Sequence, residues 1–421
     1  MIVTVMKKEI LGNVLSFKFA VVSFLLAVLV SASLYIMYND FALRVDNYEI
    51  LRPVENKKIA VIPPAPMSIF VKGLDEAMGK SFRIQFGGQI EPGKTQHSVN
   101  PIFLLFTTPD MLYIVKVILS LCALLFSFDM ISGEKASRTL SLSLSNATSR
   151  SSLLFGKWIG GFVSFIVPFS IMICAGVFVL YISPLVELKP DDWTKIGLFF
   201  LGTVLYAGFF YSLGLFISTA TTRPSTSLVV SLLAWTLVVF IVPNLGNTVA
   251  RQLRPVQSIR QFEMKRGQIW VKEIFTLIQA QRKEPGSVTR EEAFERINTE
   301  NDMVRNDYSA RFKGLTDLAK NITRISPAAA FTYFATDMAG TGVSEENRLK
   351  QAVIRYKDSV WDYSIDAEEV MPDDVPRFTY TRRTAGEIMA DEGFLNLAVL
   401  ALLTVAAFAG AYVSFLKYDV R

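Results

Sequence analysis

Six long apolar runs constrain the fold of this chain more than any other feature of its sequence. Each holds about 20 residues or more with almost no charge, which is the length that an α-helix needs to cross a hydrocarbon core of about 30 Å. Apolar residues make up 51% of the chain and charged residues 19%, whereas soluble domains carry about 25% charged residues. The sequence therefore predicts an all-α polytopic membrane protein with six transmembrane helices. They cover residues 19–38, 110–131, 159–182, 196–219, 226–247 and 394–416.

The distribution of Lys and Arg predicts how these helices are oriented. Basic residues lie before the first run, between the second and third, between the fourth and fifth, and after the sixth. They are Lys7, Lys8, Lys18, Lys135, Arg138, Arg150, Lys157, Arg223, Lys417 and Arg421. The short loop between the third and fourth runs holds only Lys189 and Lys195, which Glu187, Asp191 and Asp192 offset. Because short cytoplasmic segments are rich in Lys and Arg, we expect both termini in the cytoplasm. The formal charge of +5 is then mainly a bias next to the membrane, and it does not indicate nucleic-acid binding.

Residues 1–18 precede the first run and predict an amphipathic helix that lies on the inner membrane surface. Lys7, Lys8 and Glu9 occupy one face of this helix. The apolar residues of the other face follow one another at about one helical turn. They are Ile2, Val5, Met6, Ile10 and Val14.

Two long segments are predicted to be extracytoplasmic. Residues 39–109 are rich in Pro and Gly and contain short apolar runs that can form strands. Residues 248–393 have a helical pattern instead, with apolar residues recurring every three or four positions on both sides of a Pro-Gly break at 284–287. This pattern predicts an antiparallel helical hairpin, and a hairpin of this kind can dock a partner protein.

Cap signals support the helices of the second segment. Thr289 followed by Glu292 has the spacing of a capping box at the start of the second hairpin helix. Ser326 followed by Pro327 is a typical helix start, because proline suits the first helical position. We expect two further helices there, over residues 327–338 and 344–364.

The chain lacks the sequence motifs of common catalytic sites. It has no G-x-x-x-x-G-K-[ST] phosphate loop, no H-E-x-x-H, no C-x-x-C and no G-x-S-x-G. His97 is its only histidine, and Cys122 and Cys174 both fall inside apolar runs. The interiors of the runs hold almost no ionisable residue apart from Lys116, which disfavours proton- or ion-coupled transport. We therefore expect a non-catalytic chain with no metal and no cofactor of its own.

The candidate functional site lies between the second and third runs. It comprises Asp129 at the membrane edge and the coupling segment, residues 132–158, and we call the stretch 129–158 the connector. It is short, basic and amphipathic, so it can rest on the cytoplasmic face, where a soluble partner can push on it. Its leucines can hold it against the membrane. The polar residues that a partner can grip are Asp129, Glu134, Lys135, Arg138 and Arg150.

At the connector the sequence resembles the permease subunits of ABC-2 type transporters. The order of residues matches: Asp129 at the membrane edge, Gly133-Glu134-Lys135, Thr139-Leu140, Ser145, Arg150 and Gly156-Lys157. The six-span plan, the N-terminal amphipathic helix and the short basic C-terminus match as well. Many relatives carry proline where this chain has Ala147. The length of 248–393 and the run from Ser326 to Gly342 resemble the subgroup related to gliding-motility and copper-enzyme-maturation permeases.

The resemblance implies a function and partners. Two such permeases, identical or paired with a homologue, form a pathway in the bacterial inner membrane, and each binds a separate cytosolic ATPase subunit that carries the ATP and Mg. Residues 1–18 are then an interfacial elbow helix, and export or outward mechanical work is the implied direction. The implied ATPase-coupling residues are Asp129, Gly133, Glu134, Lys135, Arg138, Thr139 and Arg150. Arg223 and Pro224 are the second cytoplasmic contact.

Two other classes of function remain open from the residues alone. The first is a membrane-anchored scaffold or sensor whose helical segment 248–393 binds a partner protein. The second is a membrane enzyme, which the absence of a nucleophile, metal or acid-base set within the runs disfavours. A stable complex with an ATPase subunit distinguishes the permease from both.

Overall fold

The computed structural model describes residues 2–51, 59–75, 81–84, 90–92, 109–145, 149–283, 289–364 and 378–418. Contacts divide the chain into two units. Unit 1 joins Met1–Val239 with Pro327–Arg421, and unit 2 is Phe240–Ser326. The predicted helical segment 248–393 is therefore divided between the two units.

Six helices of the described chain are long and apolar enough to cross a membrane. They confirm the prediction of an all-α membrane protein with six transmembrane helices. Spans 4 and 5 begin with proline in the first turn, where its missing N–H costs nothing. A capping box between Thr384 and Glu387 starts span 6. Spans 1 to 6 are Phe17–Leu51, Met111–Ala136, Arg150–Ile182, Pro190–Ala220, Pro224–Leu253 and Ala385–Leu416.

Three of the spans contain a π-helical turn. These turns are Ile114–Leu119 in span 2, Leu237–Ile241 in span 5 and Met389–Gly393 in span 6.

The other helical segments of the described residues are labelled in chain order, and α2 is the last turn of span 2. They are α1 (Ile2–Val14), α2 (Ser132–Ala136), α3 (Thr139–Ser145), α4 (Ile259–Lys283), α5 (Arg290–Thr323), α6 (Pro327–Ala339) and α7 (Val343–Ser364).

Span 1 continues to Leu51, well beyond its predicted end at residue 38. Phe41 is buried in the main apolar core. Arg44 is 4% exposed, forms an ion pair with Asp75 and donates to Ser68 Oγ at 3.0 Å. Asp75 and Ser68 of the following segment bind Arg44, so the helix persists where hydropathy alone indicates a loop.

The first predicted extracytoplasmic segment contains a small antiparallel sheet in the order β1-β2-β3, formed by Ile59–Val61, Ser81–Ile84 and Ile90–Pro92. Ile59 pairs with Arg83, and Phe82 pairs with Pro92. A short 3₁₀ turn, Pro66–Ile69, lies between β1 and β2. His97 lies outside the described residues.

A close approach joins this segment to the turn after α6. Gly73 has a φ of +49°, and a Cβ there would lie 2.5 Å from Thr341 Oγ1. The Leu74 N–H donates to the Thr341 carbonyl at 2.8 Å. Only glycine fits this backbone conformation at this distance.

Helix α6 lies in the core of unit 1 rather than with the hairpin. Its sequence, PAAAFTYFATDMA, is small and apolar, and most of its residues are buried. Phe331 stacks on Tyr206 of span 4 with ring centroids 4.7 Å apart, and a Cβ on Gly202 would lie 2.6 Å from Phe334. Burial in this core explains why α6 carries almost no charge.

A polar cluster ties α6 and α7 to the start of span 6. Arg383 lies 3.0 Å from Glu345, 3.1 Å from Asp391 and 3.5 Å from Asp337. Burial lowers the pKa of the Arg383 guanidinium, but the three carboxylates outweigh this effect and raise it overall. Lys195 of span 4 donates to the Arg383 carbonyl at 2.8 Å. The cluster therefore joins four helical elements through one arginine.

Unit 2 contains the helical hairpin that the sequence predicts. Phe262 of α4 stacks on Tyr308 of α5 with centroids 4.5 Å apart, and Lys272 lies 3.2 Å from Glu300. The later residue of α4, Lys272, contacts the earlier residue of α5, Glu300, so the two helices are antiparallel. The capping box at Thr289 is present. The predicted break at 284–287 lies outside the described residues.

Candidate functional site

The described part of the connector begins with two short helices joined by a sharp turn. Helix α2 ends at Ala136 and α3 begins at Thr139. Between them Arg138 has a φ of +58°, and among the described non-glycine residues it alone has a positive φ. A left-handed conformation costs an L-residue about 1–2 kcal/mol, so the surrounding contacts must hold this turn.

Glu134 of α2 points inward, toward a buried lysine. Lys157 Nζ lies 2.9 Å from Glu134 Oε1 and 2.6 Å from Glu9 Oε1. Lys157 is 4% exposed, so its charge is stable only because it is paired. The three residues belong to α2, span 3 and α1, and the ion pairs therefore join these elements.

A groove of small residues on span 3 receives α1. A Cβ on Gly156 would lie 2.8 Å from Val5 Cβ, and one on Gly160 would lie 2.7 Å from the Met6 carbonyl oxygen. One turn further, Ser164 Oγ accepts a hydrogen bond from the Asn13 side-chain amide at 2.9 Å. Small residues four apart allow two helices to approach closely in a membrane.

This packing corrects the predicted orientation of α1. We expected Glu9 on the polar face with Lys7 and Lys8, but Glu9 lies on the face that packs on span 3. Lys7 and Lys8 are exposed. The amphipathic pattern misplaces Glu9 because hydropathy treats every carboxylate as solvent-facing, whereas this one neutralises Lys157.

Lys135 binds the C-terminal end of span 4. Its ammonium donates to the carbonyl oxygens of Thr219 and Thr221 and lies 4.5 Å from the centroid of the Tyr418 ring. Carbonyl groups at a helix C-terminus lack intrahelical partners and carry partial negative charge, so a lysine stabilises them. Lys135 therefore holds α2 against the turn between spans 4 and 5.

Two serines strengthen that attachment. Ser218 Oγ accepts hydrogen bonds from the backbone N–H groups of Ile131 and Ser132, both at 3.0 Å. Ser227 Oγ at the start of span 5 donates to the Phe128 carbonyl. The predicted second contact, Arg223 and Pro224, lies in this turn, so the structure brings both predicted contact regions to the same end of unit 1.

The ends of the connector are also attached. Arg150 donates to the carbonyl oxygens of Leu416 at 2.7 Å and Tyr418 at 3.0 Å. Asp129 lies 3.3 Å from Lys18. These contacts join the connector to the end of span 6 and to the start of span 1.

The predicted site residues therefore divide into two groups. Asp129, Glu134, Lys135 and Arg150 bind other parts of unit 1, and Gly133 is half-buried without a specific role in these contacts. The exposed residues are Arg138, Thr139 and Arg223, and Pro224 is half-buried beside them.

The leucines of the connector do not simply press on the membrane. Leu140 is 1% exposed and belongs to an apolar cluster with Leu154, Leu215 and Phe415. Leu140 was expected to help hold the connector against the membrane, but these side chains of spans 3, 4 and 6 enclose it instead. Ala147 and the side chains of Leu142, Leu144 and Ser145 lie outside the described residues.

Sequence reasoning missed several residues of this site. Glu9, Gly160 and Ser218 were not predicted to contribute. One signal was available, because Gly156 and Gly160 form a G-x-x-x-G pattern at the start of a membrane span. No comparable local pattern marks Ser218.

A comparison with protein families identifies one match. A family described as ABC-2 family transporter protein matches residues 3–420, nearly the whole chain. A comparison with curated proteins gave no match.

Proposed function

Because this chain belongs to the ABC-2 family of transporter proteins, we propose that it is the permease subunit that couples a separate cytosolic ATPase subunit to export or outward mechanical work. Family membership supports a membrane subunit of an ABC transporter. The proposal adds the ATPase partner, the direction of work and the residues that make the contact.

The observation that carries the proposal is the position of Lys157. Its ion pairs with Glu9 and Glu134 hold α2 and α1 against the start of span 3. A connector that served only as a loop would need no buried ion pair with two other elements. A displacement of α2 is therefore passed directly to span 3 and α1.

Further contacts extend this transmission to other spans. Lys135 and Ser218 connect α2 to the end of span 4, and Arg150 connects the start of span 3 to the end of span 6. A force on one short segment thus reaches several membrane helices through hydrogen bonds and ion pairs that resist displacement. In this proposal Glu134 transmits the motion and does not itself touch the ATPase.

The contact with the ATPase falls on the exposed residues. Arg138 lies at the tip of the turn between α2 and α3, and Thr139 follows it. Arg223 is exposed in the turn that Lys135 binds. Arginine forms bidentate hydrogen bonds with carboxylates, so an acidic groove on the ATPase is the expected complement.

The proposed role also defines where ATP binds, what completes the transport pathway and where the chain resides. ATP and Mg are bound by the partner subunit, and this chain is non-catalytic. A second permease, identical or homologous, completes the pathway in the bacterial inner membrane, with both termini in the cytoplasm.

Affinity purification of the tagged full chain, co-expressed with its neighbouring genes, tests the proposal. We expect an ATPase subunit in the eluate of mild detergent, identified by mass spectrometry and active in ATP hydrolysis. Arg138→Glu should release it, whereas Arg290→Glu, a charge reversal at an exposed arginine of unit 2, should not. A correctly folded chain that purifies without any ATPase would overturn the proposal and favour an anchored scaffold or sensor.

A further inference from the structure

Helix α4 has two apolar faces, and only one of them packs on α5. The packed face includes Phe262 and Leu277, which are buried. The other face is exposed over about four turns. Four apolar residues form it, and together with Gly267 between the first two they are spaced three or four positions apart, so they share one side of the helix. They are Met264 (59% exposed), Val271 (62%), Phe275 (59%) and Ile278 (46%).

Side chains that suit a membrane–water interface flank the exposed apolar face on both sides. Trp270 is 50% exposed and lies beside it. Lys265 and Lys283 are exposed on the opposite border, eighteen residues or about five helical turns apart, and Lys272 between them is paired with Glu273 and Glu300. Aromatic residues and lysines of this kind place their polar ends at the membrane–water interface and their apolar parts below it.

The charge of α4 is strongly basic. Its acidic residues are Glu263 and Glu273, and Glu273 is buried between Lys272 and Arg296. Its basic residues are Arg260, Lys265, Arg266, Lys272, Arg282 and Lys283. This balance complements an anionic surface and opposes close contact with a second α4.

A short linker joins α4 to a membrane span. Span 5 ends at Leu253 and α4 begins at Ile259. The five residues between them can span at most about 20 Å when extended. The start of α4 therefore lies within about 20 Å of the end of span 5.

We propose that the exposed face of α4 docks on the surface of an anionic lipid bilayer. Val271, Phe275 and Ile278 enter the boundary between headgroups and acyl chains, and Lys265 and Lys283 lie at the lipid phosphates. The hairpin thus lies on the membrane along α4. This contact is independent of the proposed contact with an ATPase.

A fluorescent label on the full chain tests the docking. The background is Cys122→Ala with Cys174→Ala, and one variant adds Phe275→Cys while a matched control adds Thr276→Cys, the next residue along the same helix but on a different exposed face. Each variant is labelled with an environment-sensitive fluorophore and reconstituted into vesicles of phosphatidylcholine with phosphatidylglycerol. Quenching by phosphatidylcholine spin-labelled near the headgroup reports contact with lipid, and both orientations of the chain meet the same lipid.

We expect strong quenching at position 275 and little at position 276. Adding Lys265→Glu and Lys283→Glu should reduce quenching at 275 to the control level, as should vesicles without phosphatidylglycerol. Equal quenching at the two positions would overturn the proposal. So would a disulfide between two chains at position 275, or a blue-shifted but unquenched label there, because these outcomes assign the face to a second copy or to another protein surface.

Discussion

The ammonium group of Lys157 lies 2.9 Å from the Glu134 carboxylate, and this ion pair joins α2 to span 3. Lys157 is buried and also binds Glu9 at 2.6 Å. One lysine thereby holds two carboxylates from separate helices. The connector is consequently part of the helical bundle, and changes at Lys157 should affect both stability and coupling.

Replacing Lys157 by alanine leaves the carboxylates of Glu9 and Glu134 without a common countercharge. Removing one partner of a buried ion pair costs about 3–5 kcal/mol, an upper figure here because both glutamates are partly exposed. We expect a lower midpoint of thermal unfolding for the purified chain in detergent. Adding Glu9→Gln and Glu134→Gln should restore most of the loss. An unchanged midpoint in Lys157→Ala would contradict the role of the pair.

The Arg138→Gly variant tests the backbone conformation of the connector turn separately from the contact of the arginine side chain. Glycine adopts a φ of +58° without the cost of about 1–2 kcal/mol that a left-handed arginine carries. We expect equal or slightly higher thermal stability, but weaker association with the proposed ATPase subunit because the exposed guanidinium is gone. Co-purification measures the association. Full association in this variant would show that the side chain is not the contact.

Gly160→Val should displace α1 from span 3. The added Cβ would lie 2.7 Å from the Met6 carbonyl oxygen, which is too close unless the helix moves. We expect faster tryptic cleavage after Lys7 and Lys8 in detergent. Gly197→Val is the matched control, because no atom lies within 4 Å of a Cβ at that position. Equal cleavage rates in the two variants would contradict the close packing of α1.

Arg383→Met should destabilise unit 1, because Glu345 is 1% exposed and loses a cation 3.0 Å away. The expected loss is about 3 kcal/mol. Arg383→Lys should lose less, since it keeps the charge but not the fork that reaches Asp337 and Asp391. The order of the thermal midpoints, wild type above lysine above methionine, is the test. A methionine variant as stable as the wild type would show that the cluster does not stabilise the fold.

The spans, the helix caps and the hairpin could be predicted because their signals are local. Apolar runs of membrane length, proline in a first helical turn and the Thr289–Glu292 capping box each occupy a few adjacent residues. The end of span 1 was not predictable in this way. Its helix continues past residue 38 because Arg44 finds Asp75 and Ser68 in a later segment.

The order of residues in the connector predicts where the candidate site lies, but it does not predict the contacts of that segment. Arg138 is exposed there. The same pattern could not show that Glu134 points inward or that Leu140 is enclosed by spans 3, 4 and 6. Both facts depend on residues from other parts of the chain.

The sequence by itself determined that this is a six-span membrane protein with a basic connector and a helical hairpin, because hydropathy, caps and charge bias act between neighbouring residues. Only the tertiary structure decided that Glu9, Glu134 and Lys157 meet, and that α6 belongs to the core of unit 1. The physical reason is that a charged residue within a helix bundle is stable only beside a countercharge. Which countercharge it meets is decided by helix packing, and no local pattern records it.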